Sequence, residues 1–494
     1  MIPRTRLVPV LLAPVLGLAL AGSSLVGSSL AGAAAPDRNG TPGASGMGDP
    51  YFPKDGNGGI DVLHYDVRDS YRFGTGRLSG RTRLDVRATQ DLSRFDLDFL
   101  LPVRSVVVNG KRAKFRHSGD HELRIKPADP LTDGVAFRVT VKYAGTPAAE
   151  TSHGESNWLA DAHEVVAMNE PHMAAWWFPA NDHPRDKASF DIRITAPRGI
   201  DVVANGVRVG TRKHHGRETT HWRAVEPMAS YLAFFAAGSF DTRSTTCNGV
   251  PNDVAVTRQQ PPFARPATGD AARDATEESV KQLGEQTCTI ISALANVLGP
   301  YPFSAMGGLV TSLPVSFSLE NQTRPTYPVL SGPSDSLMAH ELAHQWFGDL
   351  VSVSNWRDIW LNEGFATYLS AYYGTEVVAH HSMQDWLNSN YDTFAGQAGF
   401  WKLSIDDPGP VRLFDGAVYQ RGAMAIQALR HRIGDTAFWS LLRTWLAQHA
   451  YGNGSVAEFE ALASSTSGQD LTAFFGAWLD ARVVPAKTAD NGLV

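Results

Sequence analysis

The stretch His340-Glu341-Leu342-Ala343-His344 limits what this chain can be more than any other. Residues four apart on a helix share one face, so both imidazoles can turn toward one cation. Glu341 is rotated from His340 by about 100°. It can reach a water beside the ion without binding the ion itself. Glu363 follows nineteen residues after His344, within Trp360-Leu361-Asn362-Glu363-Gly364-Phe365, and reads as lying on the next helix. Two imidazoles and one carboxylate, with a fourth position open, are the donor set of a catalytic zinc site and not of a closed structural one. An H-E-x-x-H stretch also arises by chance, with both histidines at the surface. A third donor in a Trp-rich, buried-looking segment argues against chance.

Such a site needs a scaffold, and the chain is long enough for two or three domains, with 494 residues of which 43% are hydrophobic. The hydrophobic period changes along it. From Tyr51 to Asp241 it is two: Leu84, Val86 and Ala88 alternate with Arg83, Asp85 and Arg87. Asn109-Gly110 and Asn205-Gly206 each follow a Val-rich run and predict hairpin turns. After Asp241 helices are expected to dominate. A long one covers Ala271 to Leu298, the metal helix runs from about Ser336 to Leu350, and an amphipathic one covers Asp470 to Ala481. Ser455-Val456-Ala457-Glu458 is a capping box. The expected class is α+β. A β-domain over residues 51–241 leads into a mainly helical catalytic domain over 242–485, with a tail at 486–494.

The N-terminus reads as a targeting segment. Arg4 and Arg6 precede the apolar run Leu7–Ala21, and Ala31-Gly32-Ala33 is a cleavage pattern. Residues 1–33 are therefore expected to be a signal peptide, and the Gly/Pro/Ser-rich residues 34–50 a disordered leader. Export would make the mature protein secreted and soluble, without a stable membrane anchor. Cys247 and Cys288 are the only cysteines, and an exported chain would favour one disulfide over two buried thiols. A net charge of −6 implies no nucleic-acid partner. Asp55-Gly56-Asn57 lacks calcium-loop spacing and reads as a turn. Arg212-Lys213-His214-His215 reads as a solvated hairpin tip, and His380-His381 as surface. Gln345 and Asp349 are expected on the solvent or interdomain side of the metal helix.

The metal motif followed by Trp360-Leu361-Asn362-Glu363-Gly364-Phe365-Ala366 resembles the aminopeptidase N family of zinc metallopeptidases, the gluzincins that include leukotriene hydrolases. Other blocks agree. Phe178-Pro179, Asp182, Pro184 and Lys187-Ala188-Ser189-Phe190 resemble a stretch of that family's β-domain, as do Pro227-Met228 and Tyr231-Leu232. Val418-Tyr419-Gln420-Arg421-Gly422-Ala423 resembles the block bearing its catalytic tyrosine. The likeness covers residues 51–485. It implies a saddle-like antiparallel β-domain, a thermolysin-like catalytic domain and one Zn2+ per chain. It also implies a short form without the family's C-terminal helical domain, and hence a more open cleft.

Site roles follow from that resemblance. His340, His344 and Glu363 would hold the metal, Glu341 would be the general base, and Tyr419 would stabilise the oxyanion. Ser318-Leu319-Glu320-Asn321 resembles the end of the family's exopeptidase motif. Glu320 would then grip the substrate's free amine, with Glu170 assisting and with Phe317 and Asn321 beside it. The chain departs from the pattern in places. Phe317 stands where the motif has Gly and Leu319 where it has Met. Ala180-Asn181-Asp182-His183-Pro184 replaces a Cys-x-Asp-Glu-Pro run, Ala175 replaces an Arg, and Arg421 replaces a Lys. The implied activity is removal of the N-terminal residue from peptides with a free amine, by a monomer, through a metal-activated water. The alternatives are a zinc endopeptidase with an open cleft, or an inactive peptide-binding homologue.

Overall fold

A computed structural model describes residues 40–259, 270–329 and 333–494. The expected signal peptide and the first residues of the expected leader lie outside the described residues. The β-domain is built on a sheet of eight strands: β1 (Ile60–Arg72), β2 (Arg77–Ala88), β3 (Val103–Val108), β4 (Lys111–Arg112), β5 (Ala136–Gly145), β6 (Lys187–Pro197), β7 (Val207–His214) and β8 (Arg217–Ala229). Their order is β7-β8-β6-β1-β2-β5-β3-β4, antiparallel except for the parallel β6·β1 pair. The period of two has its expected result. Leu84 and Val86 of β2 are fully buried opposite Tyr65 and Val62 of β1, while Arg83 and Arg87 face outward. Burial of each such side chain contributes roughly 1.5–3 kcal/mol.

Two four-stranded sheets complete this half. One joins residues 41–42, 92–98, 122–126 and 114–118. The other joins 159–160, 165–167, 235–238 and 201–204, and forms the seam with the catalytic domain. There Glu164, fully buried, accepts from Thr257 Oγ1 at 3.0 Å and Ser312 Oγ at 2.6 Å.

Residues 40–50 correct the expectation of a disordered leader. They pack on the β-domain, Asp49 is buried, and its carboxylate accepts from Trp356 N at 2.9 Å. The two Asn-Gly pairs also diverge. Asn109-Gly110 is the expected hairpin turn, with φ of 48° and 79°. Asn205-Gly206 instead joins strands of two different sheets. Asn205 is wholly buried, and its amide donates to Leu232 O at 3.0 Å and Gln322 O at 2.9 Å. Tertiary hydrogen bonding has overridden local turn chemistry there.

The catalytic half opens with a four-stranded sheet: β9 (Phe240–Cys247), β10 (Val250–Thr257), β11 (Met306–Thr311) and β12 (Thr326–Pro328). The long helix α1 (Asp270–Leu298) packs on it, and a Cys247–Cys288 disulfide ties β9 to α1. Three further helices frame the cleft: α2 (Asp335–Ala343), α3 (Trp360–Tyr372) and α4 (Gly416–Ile433). Trp360, Phe365 and Trp445 each pack edge to face against Phe459. The capping box forms as expected, opening a helix over Val456–Ser467. The stretch 470–481 is less regular than expected, one α turn over Thr472–Phe475 followed by a wider π turn over Gly476–Asp480. Buried Arg421 holds this segment by donating to Trp478 O, Leu403 O and Ala481 O at 2.5–2.7 Å. Among the described residues, no helix is long and apolar enough to cross a membrane.

Candidate metal centre and substrate cleft

Ser334 starts α2, its side chain accepting from Leu337 N at 3.2 Å. The helix ends earlier than the sequence suggests. His344 is its C-terminal cap, and the chain then turns back through Gly348 at φ 132°, with Asp349 N donating to His344 O at 2.9 Å. This turn carries Phe347 O to 3.0 Å from His344 Nδ1. An imidazole that donates from Nδ1 presents a lone pair at Nε2.

That lone pair belongs to a triangle. His340 Nε2 lies 3.2 Å from His344 Nε2 and 3.2 Å from Glu363 Oε2, and His344 Nε2 lies 3.4 Å from the same oxygen. Tetrahedral zinc with bonds of about 2.0–2.1 Å sets its donors roughly 3.3–3.4 Å apart. The three edges match, so the residues fit zinc. Glu363 reaches the triangle because α3 and α4 cross with nothing between their backbones. A Cβ on Gly422 would fall 2.9 Å from Gly364 Cα. The same crossing brings Tyr419 of α4 over the site, its ring stacked on His340 at 5.9 Å between centroids.

The triangle opens into a cavity of about 1030 Å³. Glu341, Glu320, Glu170, Phe317 and Tyr419 line it with the three donors. Glu320 is buried and Glu170 half-buried, and the Oε1 atom of each has no hydrogen-bond partner among the described residues. Burial, reinforced by Glu320 and Glu363, pushes Glu170 well above the usual carboxylate range. Glu341 is raised by burial, with Glu320 and Glu363 adding to it. Burial also acts upward on Glu363, but His344 and His340 outweigh it and hold this carboxyl at about 2. Burial, then Glu363, raises the Tyr419 phenol, which is therefore a hydrogen-bond donor at neutral pH.

Two residues correct the sequence reading. Asn321, expected to bind substrate, does not line the cavity. It is wholly buried, accepting from Thr326 Oγ1 at 3.0 Å and donating to Leu232 O at 3.3 Å, so it anchors the loop that presents Glu320. Gln345, expected at a solvent or interdomain face, is wholly buried. Its Nε2 donates to Glu320 O at 3.0 Å and its Oε1 accepts from Thr323 N at 2.7 Å. The same loop is gripped from the β-domain, where Gly206 N donates to Thr323 Oγ1 at 2.8 Å. The only signal for Gln345 was one amide between the metal-motif His344 and the apolar pair Trp346-Phe347. Asp349 is buried at the domain seam, where Lys187 Nζ donates to Asp349 O at 2.8 Å and Leu350 O at 3.1 Å.

A β-domain, a helical domain and a helix-borne His/His/Glu triangle facing a deep cleft define a metal-dependent hydrolase of the zincin type. Comparison with known families agrees: residues 63–232 match the peptidase M1 N-terminal domain and residues 298–478 the peptidase family M1 domain. The chain belongs to peptidase family M1. It is similar to endoplasmic reticulum aminopeptidase 1 of Homo sapiens, 26% identical over 79% of this chain and 44% of that protein. It is also similar to aminopeptidase N of Lactococcus lactis, 26% identical over 80% of this chain and 48% of that protein. The chain thus spans about half the length of such curated relatives. The M1 zinc metallopeptidase of Deinococcus radiodurans has the same fold, with a TM-score of 0.77 and 27% identity over 89% of this chain and 99% of that one.

Proposed function

We propose that this protein is a secreted zinc aminopeptidase that removes the N-terminal residue from peptides with a free amine. One observation carries the reading. Two carboxylates, Glu320 and Glu170, face the cleft beside the His340/His344/Glu363 triangle, each with a buried oxygen that no group among the described residues satisfies. A substrate ammonium placed there would satisfy them. A blocked amine would leave them buried and unpaired, at a cost of about 1–3 kcal/mol or more for a charged group. The related Deinococcus enzyme has been crystallised, as a mutant, with a Tyr-Ser-Ala substrate, which supports a peptide in this cleft.

Zinc held by His340, His344 and Glu363 would supply Lewis acidity that polarises the scissile carbonyl and acidifies water. The chain's own groups do the rest. Glu341 is next to a metal ligand and lines the same cavity, so its carboxylate takes the water's proton and returns it to the leaving amine. The Tyr419 hydroxyl donates to the oxygen on which negative charge develops. Glu320 and Glu170 fix the first residue, and Gln345 keeps Glu320 in place through its backbone. The disulfide suits an oxidising compartment and supports export.

Aminoacyl fluorogenic amides, offered free and N-acetylated, with and without a chelator, test the reading. Hydrolysis of the free amides alone, abolished by the chelator, is expected. Equal cleavage of the acetylated forms would replace it with the endopeptidase reading, and no cleavage of any peptide would replace it with the binding-protein one.

A further inference from the structure

The outer face of the eight-stranded sheet carries a pattern that the proposed reaction does not use. Its register sets Lys142 of β5 opposite Arg81 of β2, Arg81 opposite Arg68 of β1, and Arg68 opposite Arg193 of β6. His221 of β8 follows beside Arg193. Neighbouring strands lie about 4.8 Å apart, so the four cations form a row roughly 14 Å long. Like charges directly opposite one another on a sheet are destabilising. Two carboxylates offset part of that repulsion from one side of the row. Asp66 accepts from Arg68 Nε at 2.9 Å and from Arg193, while Asp191 accepts from Arg223 Nε at 3.0 Å and pairs with His221. Arg81 and Lys142 are exposed and have no ion pair among the described residues. On the other side of the row lies a level of hydroxyls, Ser79, Ser70, Thr195 and Thr219, that ends at Arg212 of β7. Thr195 Oγ1 and Thr219 Oγ1 are 2.7 Å apart, and Arg217 donates to Ser70 Oγ at 3.0 Å. A cavity of about 580 Å³ opens over both levels, bordered by Arg68, Arg193 and Arg212. Asp69 also borders it, but its carboxylate turns into the core, accepting from Tyr143 Oη at 2.8 Å and Trp177 Nε1 at 2.9 Å.

We propose that this face binds an acidic polysaccharide, with the polymer's sulfate or carboxylate groups on the row of cations and its hydroxyls on the Ser/Thr level. The chain carries a net charge of −6, so a basic face is a local feature and not the general balance of the molecule. Guanidinium groups offer forked donors that fit oxyanions. The pairs with Asp66 and Asp191 hold Arg68 and Arg193 in place before a ligand arrives, which lowers the ordering cost of binding. A stacked nucleobase uses an aromatic platform, and no Phe, Tyr or Trp borders the cavity. A membrane surface takes a broad apolar face, and Val209 is the only large apolar side chain in the lining. Alternating acid and hydroxyl groups along a sugar chain complement the two levels. No residue of this cavity lines the cleft, so a bound polymer tethers the protein and leaves the cleft open. The inference is independent of the peptidase reading, and either can fail alone.

The test is binding of the full chain to heparin, beside neutral dextran, duplex DNA and vesicles containing anionic phospholipid. Wild type should bind heparin more tightly than the other three, and the binding should weaken steeply as salt is raised. Arg81, Lys142 and Arg212 are exposed and unpaired among the described residues, so their replacement leaves the fold's own contacts intact. The triple variant Arg81→Glu, Lys142→Glu, Arg212→Glu should lose heparin affinity by about 100-fold while its Tm stays near the wild-type value. A charge-matched variant at exposed positions elsewhere, Lys54→Glu, Lys402→Glu, Arg482→Glu, should keep wild-type affinity. If the first triple variant proves unfolded by circular dichroism, Arg212→Gln alone decides, with an expected loss of about fivefold. No binding of heparin by wild type, binding to DNA or vesicles as tight as to heparin, or an equal loss in the charge-matched variant would overturn the proposal. So would wild-type affinity in the folded triple variant, or in Arg212→Gln where that variant decides.

Discussion

At the scale of the residue, the site separates into groups that bind, a group that transfers protons and a group that positions. Glu341 touches none of the three donors' triangle edges, so Glu341→Gln should keep a full equivalent of zinc in the cleft while kcat falls by about 10²–10⁴-fold. Metal analysis beside a rate measurement checks this. Glu320→Ala should lower kcat/KM on a free aminoacyl amide by about 10²-fold and narrow the gap between free and N-acetylated substrates. An unchanged ratio between the two would remove Glu320 from amine recognition. His340, Glu341 and His344 were legible because helical spacing is itself geometry, and Glu363 because its Trp360–Phe365 block resembles a family motif. Gln345 and Asn205 were not. Each acts through a backbone carbonyl more than twenty residues away, Glu320 O and Gln322 O, and no local pattern encodes such a partner.

At the scale of the element, the α3–α4 crossing decides where Glu363 and Tyr419 stand. Gly422→Ala would insert a methyl 2.9 Å from Gly364 Cα, and the contacting atom is backbone, which cannot swing aside. Overpacking of this kind costs about 1–3 kcal/mol. We expect a lower Tm together with a fall in kcat, since Tyr419 moves with its helix. A loss of stability with kcat intact would show that the phenol's placement tolerates the shift. Helix boundaries were the least legible part of the fold. The metal helix reads as continuous to Leu350 because Trp346, Phe347 and Leu350 keep an apolar period. Gly348 and the turn hydrogen bonds end it at His344 instead.

At the scale of the whole molecule, the two domains meet through polar groups that include the half-buried Lys187, whose titration falls within an accessible pH range. Burial lowers its ammonium from 10.5 to about 7, with Asp349 opposing part of that shift. In the unfolded chain the amine holds its proton up to its ordinary value, so folding is penalised in full below about pH 7. The penalty lifts as pH rises from about 7 toward 10.5. Wild type should therefore gain stability relative to Lys187→Met between pH 6.5 and 9, which urea unfolding at the two pH values measures. A difference independent of pH would mean that the seam solvates the ammonium. The division into β-rich and helical halves was legible in the shift of hydrophobic period. The seam was not, because it is formed by residues such as Glu164 and Lys187 whose charge reads as surface. On the proposed function, that seam would also split amine recognition between the halves: Glu170 comes from the β-domain and Glu320 from the catalytic one, its loop clasped by Gly206 across the boundary. Neither half would then carry selectivity alone. Exchange of one domain with a cousin enzyme would break the pairing even if both pieces folded, so recombination within this lineage should move the halves together.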